Sequence, residues 1–300
     1  MKSTGSWYLV SSTEGKIISC RTRGKLRLEG SRETNPIAVG DQVIFDLDGM
    51  EGVITEILPR RNHIIRQAAR KSAQTQVLAA NVDQALLVVT VAHPRTSTGF
   101  IDRFLVTCQA YDIPQIILIN KKDLWSEEEQ EIAEAWLEIY TKLNIPVIIS
   151  SLLHGDHREE ILSHLINKTT LVAGHSGTGK STLINLILPG TSQQTGEISA
   201  FSEKGVHTTT FAEMFTGENG LFIIDTPGIK EWGLTGFEPQ EISGFFPEME
   251  SLRKDCSYGG SCLHIHEPDC AVVHAIEQGM ISLSRYESYL SMIAGEDNRK

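Results

Sequence analysis

The stretch that decides the fold is Gly174-His175-Ser176-Gly177-Thr178-Gly179-Lys180-Ser181, which follows the apolar residues Leu171-Val172-Ala173. It matches the full P-loop pattern. The glycines let backbone N–H groups turn inward around phosphates, Lys180 reaches the β and γ oxygens, and the Ser181 hydroxyl holds Mg²⁺. A predicted helix from Lys180 adds its positive N-terminal end. The sequence therefore predicts a nucleotide-phosphate site at the end of a buried strand.

A second motif, Asn120-Lys121-Lys122-Asp123, follows the apolar strand predicted over 115–119. Its Asp carboxylate can accept two hydrogen bonds from guanine, whereas adenine offers neither donor. Each unpaired buried polar group costs roughly 1–3 kcal/mol, so the motif selects guanine. The Lys stem can cover the face of the base. Ser150-Ser151, at the end of the next predicted strand, resembles the serine-bearing loop that backs the guanine.

The third motif, Asp225-Thr226-Pro227-Gly228, follows the apolar strand predicted at 221–224. At this position Asp225 is expected to hold Mg²⁺ through water. The Gly228 N–H is expected to sense the γ-phosphate. The sequence therefore supplies a second contributor to the Mg²⁺ site beside the P-loop serine.

A switch threonine should come from the interval between the P-loop and Asp225. Thr208 and Thr209 are the candidates, and Thr209 is preferred. The alternative for such a run of threonines is the edge of a β-strand, which is a serious competitor for Thr210. Ile229 stands where many GTPases carry a water-positioning Gln, and an Ile side chain cannot orient water. Intrinsic hydrolysis should therefore be slow and depend on another group or a partner. His207 is a candidate for that group, and an ordinary surface histidine is the alternative.

The order of the three motifs is unusual. All are typical of guanine-nucleotide GTPases, but in an ordinary GTPase the Asn-Lys-x-Asp element lies near the end of the chain, and here it comes first. The strand ends, rather than the chain order, build the binding crevice of a parallel sheet, so the loops can still meet at one edge. The predicted nucleotide contacts are Asn120, Lys121, Lys122, Asp123, Ser150, Ser151, Gly174, His175, Ser176, Gly177, Thr178, Gly179, Lys180, Ser181, Thr182 and Gly228.

The remaining sequence divides into three modules. Residues 1–72 contain short strands at 7–10, 16–20, 26–28, 42–47 and 52–58, which suit an OB-fold or another small barrel. Residues 73–238 alternate strands with helices, which predicts an α/β, parallel, doubly wound sheet. Residues 239–300 are mostly helical. A helix from about 126 to 142 opens with the capping box Ser126-x-x-Glu129.

Composition excludes several classes of protein. Among 300 residues, 40% are hydrophobic and 22% are charged, as in soluble globular proteins. A net charge of −11 argues against nucleic-acid binding over the whole surface. Residues 1–72, however, hold twelve Lys and Arg against eight Asp and Glu, which suggests either a directed polyanion contact or a solvated basic face. The absence of an apolar span or signal region predicts a cytosolic protein without a membrane partner.

Three of the five cysteines are closely spaced. Cys256, Cys262 and Cys270, together with His264, form a full tetrahedral set for one structural Zn²⁺, and His266 competes with His264 for the fourth place. In a cytosolic chain such cysteines are metal ligands or thiols rather than disulfides. Cys20 and Cys108 are expected to be ordinary buried residues.

The permuted motifs, the N-terminal barrel and the C-terminal cluster together resemble the RsgA (YjeQ/YloQ) family of small-ribosomal-subunit biogenesis GTPases. The resemblance also rests on the following stretches: Asn81-Val82-Asp83-Gln84, Phe100-Ile101-Asp102-Arg103, His207-Thr208-Thr209-Thr210 and Glu267-Pro268-Asp269-Cys270-Ala271. It implies Mg²⁺-dependent GTP hydrolysis coupled to late maturation of the small (30S) subunit, with the OB-fold touching rRNA. The chain departs from the family in one place, since five residues rather than four separate its first two cluster cysteines.

Two other functions remain open. One is a guanine-nucleotide-dependent RNA-binding module in which hydrolysis is incidental. The other is a metal-dependent enzyme at the C-terminal cluster, although four saturating ligands leave no position for a substrate. Nothing in the sequence requires more than a monomer.

Replacing Asp123 by Asn is expected to relax the guanine preference towards xanthine. The reason is that the amide can no longer accept hydrogen bonds from both guanine donors. Competition between GTP and XTP for binding measures the change. Unchanged selectivity would contradict the assignment of the base site.

Overall fold

A computed structural model describes residues 1–3, 7–22, 37–67, 75–190, 212–226 and 237–295. Thirteen strands and eight α-helices lie within these ranges. The strands before the first helix are β1 (Lys2–Ser3), β2 (Trp7–Ser11), β3 (Ile17–Thr22), β4 (Val43–Asp48), β5 (Glu51–Ile57), β6 (His63–Gln67), β7 (Thr75–Ala80) and β8 (Gln84–Val89). The alternating region then contains α1 (Thr98–Ala110), β9 (Gln115–Ile119), α2 (Glu127–Thr141), β10 (Val147–Ile149), α3 (Arg158–Leu165), β11 (Thr169–Ala173), α4 (Lys180–Ile187), β12 (Glu213–Thr216) and β13 (Phe222–Asp225). The C-terminal helices are α5 (Pro239–Ile242), α6 (Pro247–Glu250), α7 (Ala271–Glu277) and α8 (Leu283–Ile293).

The centre of the molecule is a parallel sheet with the strand order β10-β9-β8-β11-β13. Successive residues of β8 face opposite sides, as a strand requires. Ala85, Leu87 and Val89 pack with α1 and α2. Leu86 and Val88 pack with α3 and α4. The alternating strands and helices therefore form the doubly wound α/β sheet that the sequence predicted.

The local signals for individual elements agree with the structure. Strand β9 has the predicted limits, and α2 begins at the predicted capping box. The Ser126 N–H donates to a Glu129 carboxylate oxygen (2.8 Å), and the Glu129 N–H donates to Ser126 Oγ (3.3 Å). These reciprocal bonds satisfy two N–H groups that a helix start otherwise leaves unpaired. The strand predicted at 26–28 lies outside the described residues.

The N-terminal strands form a small β module with the order β1-β2-β3-β5-β4, in which β3 and β5 are parallel. Its core contains Tyr8, Cys20 and Ile54. The buried position of Cys20 agrees with its predicted role. A feature that the sequence did not reveal is continuity with the central sheet. Strand β1 pairs with β12, which is antiparallel to β13, so the two modules share one eleven-stranded sheet.

The hairpin β6–β7 joins the N-terminal module to the central sheet. Ile64 and Ala79 of the hairpin are buried in the core beneath α1. Asn62, just before β6, pairs through its side-chain amide with both backbone groups of the buried Val82: its Nδ2 donates to the Val82 carbonyl and its Oδ1 accepts from the Val82 N–H, both at 2.8 Å. The hairpin is therefore clamped to the strand that enters the sheet.

Asn81 and Asp83, on either side of Val82, add further hydrogen bonds to this connection. The Asn81 amide accepts from the Arg61 N–H and donates to the Gly40 carbonyl. The Asp83 carboxylate accepts from the Thr169 N–H at 2.7 Å, at the start of β11. The stretch 81–84 thus holds the N-terminal module, β8 and β11 together.

The C-terminal helices pack around a third core that includes Phe246, Met249 and Tyr289 and reaches Val106 of α1. The division at 1–72, 73–238 and 239–300 stays a prediction; hairpin β6–β7 lies across the first limit. Among the helices formed by the described residues, none is long and apolar enough to cross a membrane.

Replacing Asn62 by Ala is expected to lower the free energy of unfolding by about 2–3 kcal/mol, because it leaves both backbone groups of Val82 without their partner. Urea unfolding measures the change. The matched control is Gln130→Ala, which removes an exposed hydrogen bond from the Gln130 side-chain amide to the Glu134 carboxylate on α2. An equal loss in both variants would contradict the clamp.

Candidate functional site

The P-loop runs from the end of β11 to the start of α4, as its sequence predicts. Gly174, Gly177 and Gly179 all have positive φ, at 143°, 83° and 108°. A side chain at Gly174 would place its Cβ 2.2 Å from the Val88 carbonyl oxygen. Only glycine therefore lets the loop pass so close to β8.

The Lys180 ammonium lies across the mouth of this loop. It donates to the carbonyl oxygens of Gly174 and His175, both at 2.8 Å. Burial lowers the pKa of Lys180, and the carboxylate of Asp225 partly opposes this shift. The Lys180 side chain at the rim of the loop therefore lies within electrostatic reach of the carboxylate that is predicted to bind Mg²⁺.

Ser181 and Thr182 occupy the first turn of α4, directly after Lys180. Asp225 ends β13, in register with Val172 of β11, one strand away. The structure therefore brings the predicted lysine, serine and aspartate to one edge of the sheet. Four further predicted residues, His207, Thr208, Thr209 and Gly228, lie outside the described residues, as does Thr210.

Asn120 links three loops. Its side-chain Nδ2 donates to the Thr178 carbonyl in the P-loop (2.8 Å), and its Oδ1 accepts from the Leu152 N–H after β10 (3.0 Å). The sequence placed Asn120 among the nucleotide contacts but did not reveal this role. The side chain is buried, and it ties the guanine loop to the phosphate loop.

The guanine loop has a fixed shape. Lys121 is in the left-handed conformation (φ 69°), and its ammonium donates to the His93 carbonyl. Lys122 starts the short 3₁₀ turn that carries Asp123. The Ser151 hydroxyl donates to Asp123 Oδ1 (2.5 Å), and the Ser150 hydroxyl donates to the Asp156 carbonyl. Ser151 thus orients the carboxylate that is predicted to read guanine.

Two neighbours of the P-loop were not predicted from the sequence. The Phe100 ring of α1 stacks on His175, with ring centroids 3.9 Å apart and planes at 29°. Pro94 lies beside Gly177, 3.5 Å from where a Cβ would stand. The stretch Phe100-Ile101-Asp102-Arg103 had signalled family resemblance, but only the structure shows its contact with the loop.

The second site is the C-terminal cluster. The ligand atoms of Cys256, Cys262, His264 and Cys270 all lie within 4.8 Å of one another, and all four residues are buried. Cys270 Sγ lies 3.8 Å from Cys262 Sγ and 3.9 Å from Cys256 Sγ. His264 Nδ1 lies 3.3 Å from Cys270 Sγ and 3.7 Å from Cys256 Sγ. A tetrahedral Zn²⁺ with Zn–S bonds of about 2.3 Å separates its sulfurs by roughly 3.8 Å. The residues therefore fit this ion.

The protonation preferences fit a metal as well. Burial raises the pKa of Cys262 to about 12, so a bare thiolate there is disfavoured and a cation would supply the missing stabilisation. Burial lowers the pKa of His264, which favours the neutral imidazole that binds metals. His266 is exposed and outside the cluster, so the structure brings His264, of the two histidines, to the cysteines.

The loop that carries His264 is held from two sides. The Glu267 carboxylate accepts from the backbone N–H groups of Leu263, Ile265 and His266. Burial acts to raise the pKa of Glu267, but these backbone hydrogen bonds outweigh it and lower the pKa to about 2. From α8, the Tyr286 and Tyr289 hydroxyls donate to the carbonyls of His264 (2.6 Å) and Leu263 (2.7 Å).

The fold and the first site define a P-loop GTPase whose chain order is permuted. The model of the RsgA GTPase matches residues 57–235, and that of the RsgA N-terminal domain matches residues 1–54. The chain belongs to the RsgA GTPase family and is a GTP hydrolase.

Similar proteins span its whole length. A small ribosomal subunit biogenesis GTPase RsgA 2 from Bacteroides thetaiotaomicron is 48% identical over 100% of this chain and 97% of its own. One named RsgA from Phocaeicola vulgatus is 47% identical over the same shares. The crystal structure of YjeQ from Thermotoga maritima is 35% identical with a TM-score of 0.75, covering 96% of this chain and 93% of its own. That of YloQ, a circularly permuted GTPase, is 32% identical with a TM-score of 0.72, covering 100% and 94%. The permuted fold predicted from motif order is confirmed.

Replacing Gly179 by Ala is expected to weaken GDP binding by about a hundredfold or more, because the new Cβ would lie 2.2 Å from Asn120 Nδ2 and force the two loops apart. Titration with a fluorescent GDP measures the affinity. Gly190→Ala is the matched control, because Gly190 has a similar φ (112°) but no atom within 4 Å of its Cβ position. Equal GDP affinities in the two variants would contradict the prediction that the clash at Gly179 weakens nucleotide binding.

Proposed function

We propose that this chain couples GTP hydrolysis to late maturation of the small ribosomal subunit. The observation that carries the proposal is the convergence of the guanine loop, the P-loop and Asp225 at one edge of the sheet. The Asn120 amide ties the first two of these together. Full-length relatives at 43–48% identity bear the name small ribosomal subunit biogenesis GTPase. Their name supports the proposed role in maturation of the small subunit.

In the proposed nucleotide site, Asp123 reads the guanine, oriented by Ser151, and the Lys121 stem covers the base. The P-loop N–H groups and Lys180 bind the phosphates. The further contacts stay those predicted from the sequence, including Lys122, Ser150, Ser176, Thr182 and Gly228.

Ser181, Thr209 and Asp225 are the proposed Mg²⁺ ligands, directly or through water. A bound Mg²⁺ supplies charge that stabilises the phosphates during transfer to water. Because Ile229 stands in the usual Gln position, the attacking water must be oriented by another group. His207 is our candidate for that group within the chain, and the ribosomal partner would complete its placement.

We further propose that the C-terminal cluster holds one structural Zn²⁺ per chain, with Cys256, Cys262, His264 and Cys270 as ligands. The tetrahedral spacing of the ligand atoms supports this assignment. Bound zinc would cross-link the loops between α6 and α7. Four protein ligands fill a tetrahedral site, so the role is structural rather than catalytic.

The proposed partners follow from charge and family. The N-terminal module, with its excess of Lys and Arg, is proposed to touch rRNA in the cytoplasm, and the active form is proposed to be a monomer. Arg21, at the end of β3, is exposed on this module beside Asp48.

Purified small subunits are expected to raise the GTP turnover number at least tenfold, whereas large subunits should leave it unchanged, since partner-supplied positioning accounts for most of the rate in such enzymes. Ser181→Ala, which removes the proposed Mg²⁺ ligand, is the control for contaminating hydrolysis. Co-sedimentation with GTP, GDP and a non-hydrolysable analogue shows which state binds. Nucleotide-dependent binding without stimulation would instead favour an RNA-binding module with incidental hydrolysis.

Metal analysis of the purified protein is expected to find one zinc per chain. His264→Asn, a residue type that tolerates the left-handed backbone of this position, should lose it. His266→Ala should retain it, because that side chain is exposed. Loss of zinc from the His266 variant alone would overturn the ligand assignment.

A further inference from the structure

Helix α1 lies between the nucleotide site and the C-terminal module. On one side, Phe100 stacks on His175 of the P-loop at a centroid distance of 3.9 Å. On the other side, α1 packs along α8 through Val106 and the core around Tyr289. A shift of α1 would therefore displace the Phe100 ring that packs against the P-loop.

The contact between α1 and α8 contains a buried ion pair. Asp102 of α1 is fully buried, and its Oδ1 accepts from an Arg285 N–H at 2.8 Å. The same oxygen accepts from the Tyr140 hydroxyl of α2 at 3.0 Å. Three helices from distant parts of the chain thus meet at one carboxylate.

Arg285 is the counterpart on α8 and is only 2% exposed. Its other guanidinium N–H groups donate to both carboxylate oxygens of Glu248, at 2.8 and 3.2 Å. The guanidinium carbon, Cζ, lies over the Phe246 ring, 4.5 Å from its centre. A planar guanidinium can donate two N–H groups to one carboxylate and a third to another, a geometry that a lysine ammonium does not reproduce. The arrangement fixes α8 against α1 in one orientation.

Helix α8 also holds the loop that carries His264 of the Cys/His cluster. Its Tyr286 and Tyr289 hydroxyls donate to the backbone carbonyls of His264 and Leu263. These residues are neighbours of Arg285 on the same helix. A continuous set of contacts therefore runs from the cluster loop through α8 and α1 to His175 of the P-loop.

We propose that Asp102 and Arg285 are positioning residues for GTP binding: they fix α1, and Phe100 on α1 fixes the P-loop through His175. The metal-bearing module thereby sets the affinity of the chain for nucleotide. The inference rests on the proposed nucleotide and zinc sites. By linkage, bound nucleotide must in turn tighten the hold on the metal.

A purely structural role for the pair makes a different prediction. If Asp102 and Arg285 only stabilise the fold, breaking the pair lowers the free energy of unfolding but leaves the nucleotide affinity of folded molecules unchanged. If they position the P-loop, the affinity falls as well, and Phe100→Leu, which leaves the pair intact, reproduces the fall.

The test measures GDP dissociation constants and urea stability for the zinc-loaded protein and its variants Phe100→Leu, Arg285→Met and the double variant. Each single variant is expected to bind GDP about tenfold more weakly, within the usual range of coupling between sites. The GDP dissociation constant of the double variant should exceed that of either single variant by no more than about twofold, because both changes interrupt the same connection. Arg285→Lys, which keeps the charge, should fall between the parent and Arg285→Met and serves if the Met variant does not fold.

Arg253→Met is the matched control. It removes an ion pair with Glu250 inside the C-terminal module but touches neither α1 nor α8 through any hydrogen bond observed between described residues. Its GDP affinity should stay within about twofold of the parent. Equal weakening by Arg253→Met and Arg285→Met would overturn the proposal, as would unchanged affinity in a folded Arg285 variant.

The reciprocal measurement follows zinc release to a chelator with and without saturating GDP. GDP is expected to slow release from the parent severalfold and to have no such effect on Phe100→Leu. Release from the parent that GDP leaves unchanged would overturn the proposal. A parent that binds no guanine nucleotide would refute the proposed function itself, whereas a parent that binds normally alongside variants of equal affinity would refute only this inference.

Discussion

The parallel pairing of β8 with β11 is the contact on which the rest of the structure depends. β8 leads to the guanine-binding half of the site, and β11 ends at the P-loop, although α1, α2 and α3 separate them in the chain. The Gln84 side chain secures this register, since its amide donates to Thr170 Oγ1 and to the His164 carbonyl while accepting from Lys168. Because parallel strands end at the same edge, this pairing brings the motif loops together whatever their order in the chain. Permutation therefore leaves the nucleotide site intact and changes only what is connected to it.

The N-terminal and C-terminal modules are attached to the central sheet by different interactions. The N-terminal module continues the central sheet through β1 and β12, supported by the Lys2–Glu213 ion pair. The C-terminal module is held instead by a buried charge cluster at Asp102. Taking such charges out of water is costly, and the cost is recovered only with close, well-directed hydrogen bonds. Asp102 and Arg285 therefore favour one orientation of the helices over nearby alternatives, whereas apolar contacts alone would tolerate sliding.

Much of the fold could be predicted because its signals are local. Strand β9 is an apolar run that ends at a polar loop, and α2 opens with a capping box whose two residues need only each other. The short strands β1 and β12 carry no comparable signal, and they exist because β13 and β2 offer them unpaired edges. Hairpin β6–β7 was missed for a related reason: its burial against α1 and its clamp through Asn62 depend on residues that local periodicity does not connect.

The sequence by itself determined the chemistry: glycines that admit phosphates, a carboxylate that suits guanine, and three thiols with an imidazole that suit zinc. It also determined the permuted order of the motifs. Only the tertiary structure placed His264, rather than His266, beside the three cysteines. It also showed that the Asn120 amide ties two loops together, and it placed Phe100 on His175 and Arg285 on Asp102. The physical reason is that residue type and spacing specify what a group can bind, whereas the partner it meets depends on the packing of segments that are distant in the chain.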